Sequence, residues 1–229
     1  MAKQTIFISI LILVLSASTS SLPAKTLIQT TQKTIALDPG HGGEDFGLVS
    51  TMGIQEKTIV LQLAQRTAHL IEGRYNVLLT RSQDITIMPS ERMFLANQNQ
   101  ADLFISLHLN TSQKPLAFGY YFDSPDFTQH QPDLKDTRWK SLPLRHTTQS
   151  KAAGKAFLNI FSTQQTPIRF HLNGAPIRVL EGALMPAILI EPFPISMLPQ
   201  DSNDLVKLLD QYALLISKSI DLYFNKKQN

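Results

Sequence analysis

The stretch ADLFISLHLN, residues 101–110, contains the feature that decides the fold. Its centre, from Leu103 to Leu107, is a short and uninterrupted apolar run, which is typical of a β-strand buried on both faces of a sheet. A polar side chain that can bind metal, His108, follows this run directly. The pattern therefore predicts a buried strand that ends in a chemically active residue.

Outward from this strand, short apolar runs alternate with segments of helical periodicity. Strands are predicted at 34–37, 77–79, 103–107, 118–122 and 187–190, and helices at 56–71, 90–99, 151–161 and 204–224. Strands that alternate with helices are typical of an α/β layer with a largely parallel sheet. With 229 residues, the chain is expected to form one domain, or at most two small ones.

Composition excludes several classes of protein. The chain is 43% hydrophobic, which is enough for a packed core and argues against intrinsic disorder. The absence of Cys excludes a disulfide framework, thiol catalysis and zinc bound by thiolates, so any metal must be bound by His and carboxylates. The net charge of +3 is small and unclustered, so we expect no binding to nucleic acid.

The N-terminus has the order of a secretory signal. Lys3 is followed by an apolar stretch from Ile6 to Leu15 and then by a small polar run at 16–21. The apolar stretch is about half the length that a membrane span requires. We therefore predict a signal peptide over about residues 1–20 and export to the periplasm or cell envelope, with no membrane span after cleavage. An uncleaved N-terminal anchor is the alternative.

One stretch, residues 123–150, interrupts the alternation. It is polar, contains Pro125, Pro132 and Pro143, and shows no clear periodicity. Long irregular segments in compact domains are often functional. We interpret it as an insertion, which is either a tolerated surface loop or a lid or regulatory element over a site.

Polar residues that can bind metal follow three of the predicted strands. His41 comes after the first, His108 after the third and Glu191 after the last, while Glu56 opens the first helix. Taken singly, each has an ordinary explanation, such as a surface histidine or a glutamate favoured at a helix start. Ligands bind at the carboxyl ends of strands in open α/β sheets, so the shared edge indicates a site.

Two histidines and one carboxylate, with a fourth position open, form a known catalytic zinc set. Such a metal lowers the pKa of a bound water, which then serves as nucleophile, and a second carboxylate acts as general base. Glu191 suits the role of base if it is not itself a ligand. The reaction class would be hydrolysis of an amide or ester.

Five blocks resemble, in order and spacing, the zinc-dependent N-acetylmuramoyl-L-alanine amidases of the AmiC/CwlV-like (Amidase_3) type. The first is IALDPGHGGEDFG at 35–47. The others are QEK at 55–57, LTRSQD at 79–84, a central block that runs from ER at 91–92 through AN at 96–97 to ADLFISLHLN, and a C-terminal block with VL at 179–180 and MPAILIE at 185–191. The resemblance extends from about residue 33 to 224, which would be a single catalytic domain.

This resemblance implies zinc on His41, Glu56 and His108, with Glu191 as the catalytic base. It also implies cleavage of the bond between the lactyl group of N-acetylmuramic acid and the L-alanine of the peptidoglycan stem peptide, in cell-wall remodelling or cell separation. The fold would be a single α/β domain, phosphorylase/hydrolase-like, with a twisted, mostly parallel sheet of about six strands flanked by helices.

Three further residues are expected to contact substrate or to support the ligands: Asp38, Ser106 and Asn110. For Asp38, capping of the turn before Pro39 is the alternative. Arg81 and Arg92 are interpreted as structural ion-pair partners.

Two departures from the family pattern concern the site. Pro192, Phe193 and Pro194 follow the expected base, where the family usually has Leu or Thr and then Gly-Phe. The 123–150 insertion lies where some relatives carry an inhibitory helix, so autoinhibition and the need for an activator protein stay open.

Peptidoglycan is the expected partner, and we expect a monomer. Two other functions remain alternatives. One is a carboxypeptidase or endopeptidase acting on the stem peptide, and the other is an inactive or regulatory peptidoglycan-binding homologue.

Overall fold

The computed structural model describes residues 32–124, 138–163 and 168–225. The strands are β1 (Thr34–Pro39), β2 (Asn76–Leu79), β3 (Leu103–Leu107), β4 (Leu116–Phe122), β5 (Arg169–Ala175) and β6 (Ala187–Glu191). The α-helices are α1 (Glu56–Ile71), α2 (Pro89–Gln98), α3 (Thr147–Ser162) and α4 (Ser202–Asn225), and short 3-10 helices cover Leu142–His146, Arg178–Leu180 and Ile195–Met197. The predicted α/β class is confirmed, while the predicted signal at 1–20 lies outside the described residues.

All six strands form one sheet in the order β2-β1-β3-β6-β4-β5. Four of the five neighbouring pairs are parallel, and only the pair of β4 with β6 is antiparallel. The predicted sheet, mostly parallel and of about six strands, is therefore confirmed. The strand pattern did not predict β5, because this edge strand alternates buried Phe170 with exposed polar residues and contains Gly174.

Each face of the sheet packs against a different group of helices. Alternate strand residues such as Leu37 and Ile105 join a core that includes side chains of α1, α3 and α4. Their neighbours Ala36 and Phe104 point to the opposite face, where Met93 of α2 packs. Burial on both faces explains why the strands read as nearly continuous apolar runs.

Residues 142–150 of the predicted 123–150 insertion are helical, although the sequence pattern predicted no regular structure there. A 3-10 helix covers Leu142–His146, and α3 begins at Thr147, before the predicted start at Lys151. Ser150, in the first turns of α3, accepts a hydrogen bond from the backbone N–H of Ala187 at the start of β6. This tertiary contact ties α3 to the sheet, and residues 125–137 of the insertion lie outside the described part of the chain.

None of the helices in the described ranges combines the length and apolarity that crossing a bilayer would require.

The register of the parallel strands brings three of their carboxyl ends to one level. Pro39 of β1 lies opposite Leu107 of β3, and Leu107 lies opposite Ile190 of β6. Side chains that follow these residues must therefore meet at one edge of the sheet, as expected from the sequence.

Candidate metal centre

His41, Glu56 and His108 converge at this edge. His41 lies just beyond β1, His108 directly follows β3, and Glu56 is the first residue of α1. The Oε1 atom of Glu56 lies 3.2 Å from Nε2 of His41 and 3.2 Å from Nδ1 of His108. The two ring nitrogens are 3.1 Å apart. Three potential ligand atoms thus form a nearly equilateral triangle.

The size and chemistry of this triangle fit a metal ion. A tetrahedral ion with bonds of about 2.0–2.1 Å to nitrogen and oxygen keeps its ligands about 3.3 Å from one another. Two imidazoles and one carboxylate are a donor set that zinc accepts. Within the described ranges, one group of three or more His, Asp or Glu side chains could hold a metal ion, and it consists of His41, Glu56 and His108.

Two glycines make room for the ligands. A Cβ atom added at Gly40 would lie 2.3 Å from the imidazole of His108. One added at Gly47 would lie 2.6 Å from the ring of His41 and 2.7 Å from the carboxylate of Glu56. Gly47 also has a φ of 64°, a conformation that favours glycine. Sequence reasoning did not single out either residue, because their role depends on rings that belong to other segments.

Glu56 is held by backbone donors from two distant loops. Its Oε2 accepts a hydrogen bond from the N–H of Leu48, and its Oε1 accepts one from the N–H of Leu109, each at 2.8 Å. Burial alone would raise the pKa of Glu56, but the hydrogen bonds from His108, His41 and Leu48 outweigh it and hold the pKa below its usual range. Glu56 is therefore an ionised carboxylate.

His41 is oriented by Asp45, a residue that the sequence did not single out. The Oδ2 atom of Asp45 lies 2.9 Å from Nδ1 of His41, on the side of the ring away from Glu56. Burial lowers the pKa of His41, but contacts with Glu56 and Asp45 raise it above its ordinary value overall. A carboxylate on the second ring nitrogen fixes the orientation of a metal-binding imidazole.

Asp38 and Ser106 lie beneath the strand ends rather than in the cleft. Asp38 is fully buried and accepts hydrogen bonds from Ser106 Oγ at 2.7 Å and from Arg92 Nη1 at 2.8 Å, and also one from Thr80. Arg92 donates further to the carbonyl oxygens of Pro39 and His41. Asp38 thus supports the backbone that carries His41, and its ion pair with Arg92 agrees with the structural role expected of that arginine.

Arg81 has a similar structural role. Its guanidinium donates to the carbonyl oxygens of Pro39, Gly40 and Lys57. The loop before His41 and the start of α1 are thereby held together.

Asn110 forms part of the cleft wall. Its Nδ2 donates to the carbonyl of Leu116, and its Oδ1 accepts from the N–H of Ser112. Its carbonyl accepts from the N–H of Ile195, so it also anchors the proline-containing segment after β6. In that segment, buried Phe193 packs against Tyr212 of α4, with the ring centres 4.5 Å apart.

Glu191 faces the same cleft as the three potential ligands. The cleft has a volume of about 600 Å³, and Phe118 and Tyr120 also line it. Burial raises the pKa of Glu191 to about 7, and the negative charge of Glu56 adds to this effect. All four residues that the sequence placed at the sheet edge therefore meet in one cavity.

Comparison with known proteins agrees with the family resemblance. The sequence model of the N-acetylmuramoyl-L-alanine amidases (Amidase_3) matches residues 35–221. The amidase AmiC of Neisseria meningitidis serogroup B is 43% identical over 86 residues, which are 37% of this chain and 21% of that protein. AmiC of Escherichia coli O6:H1 is 47% identical over 85 residues, 35% of this chain and 20% of that protein. The chain thus matches about a fifth of the length of these two relatives.

Solved structures show the same fold. The amidase AmiC2 of Nostoc punctiforme aligns with a TM-score of 0.59 at 24% identity, over 84% of this chain and 97% of that chain. The catalytic domain of CwlV from Bacillus (Paenibacillus) polymyxa aligns with a TM-score of 0.59 at 23% identity, over 85% and 99% of the two chains. Since the family match covers most of the sequence, the chain belongs to the N-acetylmuramoyl-L-alanine amidase family, Amidase_3.

Proposed function

We propose that this protein is a zinc-dependent amidase that hydrolyses the bond between N-acetylmuramic acid and the L-alanine of the peptidoglycan stem peptide. The observation that carries the proposal is the triangle of His41, Glu56 and His108 with Glu191 in the same cleft, in a chain of this family. Cell-wall remodelling or cell separation is the proposed role. Export to the envelope rests on the signal predicted at 1–20.

The metal would be held by His41, Glu56 and His108. When bound, a zinc ion supplies Lewis acidity, which polarises a carbonyl oxygen and acidifies a water molecule. The ionised Glu56 contributes the negative charge of the ligand set, and its two backbone hydrogen bonds keep it in place. Asp45 and the buried arginines hold His41 in position, so the site is organised before substrate arrives.

Glu191 would transfer the proton. Its carboxylate takes a proton from the attacking water, whose oxygen adds to the lactyl carbonyl carbon. The same proton then passes to the alanine nitrogen as the carbon–nitrogen bond breaks, so the products are a free amine and a carboxylic acid, which loses its own proton to water or to the amine. A base with a pKa near the working pH serves both steps well, because it accepts and releases the proton with little bias.

The aromatic side chains of the cleft suit the sugar side of the substrate. Phe118 and Tyr120 line the cavity beside Glu191, and aromatic rings stack on the apolar faces of ring-shaped ligands. A volume of about 600 Å³ is within the range of cavities that bind small molecules.

We also propose that an activator protein regulates this enzyme. The CwlD amidase of Clostridioides difficile was solved in complex with the GerS lipoprotein, and it shares 23% identity with this chain. This chain would act as a monomer, and a partner protein would regulate its activity.

Digestion of purified sacculi by the exported protein, with and without EDTA, tests the proposal. We expect about one zinc per chain by mass spectrometry and release of peptides that carry a free L-alanine amine. EDTA should abolish the release. Trimmed or cut stem peptides would instead show a carboxypeptidase or endopeptidase, and binding to sacculi with no product would show an inactive homologue.

A further inference from the structure

A second and smaller cavity adjoins the cleft. It has a volume of about 310 Å³ and shares His41 and His108 with the cleft, but Glu191 does not line it. Its walls come from the start of α2 and from the segment between β5 and β6. Most of the surface of this side cavity is apolar, and Ile87, Ile177 and Val179 contribute to it.

Arg178 is the cation in this side cavity that is free to bind a ligand. It is exposed and begins the 3-10 helix Arg178–Leu180. Across residues 32–124, 138–163 and 168–225, its guanidinium has no hydrogen-bond or ion-pair partner. Arg92, which also lines the cavity, is by contrast buried and bound to Asp38 and to backbone carbonyls.

The two acidic side chains of the side cavity both lie away from Arg178 in their pairing. The charge of Asp38 is paired with that of Arg92. Asp45 lies at the His41 end and is bound to that ring, so an anion placed there would meet a like charge. A negatively charged group is therefore favoured at the Arg178 end.

We propose that Arg178 binds a free carboxylate of the stem peptide, and that the peptide occupies the side cavity while the glycan occupies the larger cleft. This inference rests on the proposed function. The alanine nitrogen that leaves must lie beside His41 and His108, and the acidic residue that follows alanine then extends into the side cavity. The small size and mostly apolar surface of the side cavity suit a short peptide. Phe118 and Tyr120, by contrast, line the larger cleft.

Arginine suits this task because its planar guanidinium can donate two parallel hydrogen bonds to one carboxylate. Since Arg178 is exposed, the interaction should weaken as salt concentration rises.

Two substrates test the proposal: N-acetylmuramoyl-L-alanyl-D-glutamate and its diamide, which lacks both free carboxylates. We expect the wild type to prefer the acid by about 5- to 30-fold in kcat/KM. R178Q should lose this preference by reacting more slowly with the acid and unchanged with the diamide. R169Q is the matched control, because Arg169 is exposed on β5 and lines neither cavity. A wild-type preference in R178Q would overturn the proposal.

A binding measurement separates this inference from the proposed function. The dipeptide L-alanyl-D-glutamate should bind the wild type and R169Q about 5- to 30-fold more tightly than R178Q, as measured by calorimetry. If the wild type binds the dipeptide through Arg178 but hydrolyses neither substrate, the proposed function fails and the inference stands. If it hydrolyses both while R178Q alters neither assay, the inference fails and the function stands. If the wild type neither binds nor hydrolyses, both are refuted.

Discussion

Glu56 and Glu191 are the same residue type in the same cleft, yet their protonation differs sharply. Glu56 is 1% exposed, and the pKa of its carboxyl is held below the usual range. Glu191 is less deeply buried, and its pKa is raised to about 7. Depth of burial alone would predict the opposite order, since burial penalises the charged form.

Hydrogen-bond donors explain the difference. Glu56 accepts from the N–H groups of Leu48 and Leu109 and contacts two imidazoles. In the part of the chain that the structure describes, the carboxylate of Glu191 has no such donor, and the nearby charge of Glu56 opposes its ionisation. One carboxylate is thus suited to bind a cation and the other to carry a proton.

The largest expected effect comes from exchanging each carboxylate for its amide. E191Q should lower kcat on peptidoglycan by about 10³-fold and leave the zinc content unchanged, because only the proton carrier is lost. E56Q should lower zinc affinity by more than about 100-fold, since it replaces the anionic ligand with a neutral amide. Zinc content by mass spectrometry and turnover on labelled sacculi distinguish the two variants. Loss of zinc in E191Q, or wild-type turnover, would contradict the assignment of roles.

A comparison of two glycines tests the space around Glu56. G47A should cost about 2–4 kcal/mol of unfolding free energy and weaken zinc binding by about 10-fold or more, because the added Cβ meets His41 and Glu56. Gly53 also has a positive φ, but a Cβ there meets nothing within 4 Å. G53A should therefore cost only about 1 kcal/mol and keep its zinc. Equal zinc loss in both variants would show that backbone strain, not the Cβ contact, is responsible.

The raised pKa of Glu191 predicts a pH-dependent gain in stability for E191Q in the metal-free protein. The folded carboxyl, with a pKa of about 7, binds its proton more tightly than the unfolded carboxyl, whose pKa is near 4.5. The free energy of unfolding of the wild type therefore falls as pH rises from about 4.5 to 7. E191Q avoids this loss, because glutamine does not ionise. The groups that share the cleft with it are His41, Glu56, His108 and Tyr120.

We expect E191Q to stabilise the protein by about 2 kcal/mol at pH 8 and by little at pH 4. Urea denaturation in EDTA at both pH values measures the difference. An equal effect of the substitution at the two pH values would refute a titrating Glu191.

The smallest effect is expected at Asp45, which is not one of the three potential ligands but contacts one of them, His41. D45N should weaken zinc binding by about 3- to 10-fold, because the amide keeps an oxygen acceptor but loses the charge, and 62% of the Asp45 side chain is exposed. Glu44 is the matched control, since it is the adjacent exposed acid. Competition with a zinc chelator measures both variants. If E44Q weakens binding as much as D45N, general surface charge explains the effect.

Several features of the fold and site followed from local sequence. The apolar run at 103–107 and its counterparts predicted β3, β1 and β6, and their parallel pairing brought His41, His108 and Glu191 to one edge. The local pattern is enough to predict this edge, because all residues that directly follow parallel strands lie at the carboxyl edge of the sheet.

Other features depend on contacts between distant segments. Strand β5 was not predicted, because it lies at the edge of the sheet and most of its side chains are exposed. It is stabilised by pairing with β4, which the local sequence does not show. The roles of Gly40, Gly47 and Asp45 depend on where the rings of His41 and His108 lie. Asp38 was expected to contact substrate, to support a ligand or to cap the turn before Pro39, and its hydrogen bonds with Arg92 and Ser106, both far along the chain, place it beneath the strand ends.

The two glutamates show the limit of sequence reasoning most clearly. Their positions, one at a helix start and one at a strand end, can be read from periodicity and from the apolar runs beside them, because those signals are local. Which of them stays ionised cannot be read that way from the residues. That difference arises when folding brings the N–H groups of Leu48 and Leu109 to Glu56 and leaves Glu191 beside a negative charge, and a pKa depends on such neighbours rather than on residue type.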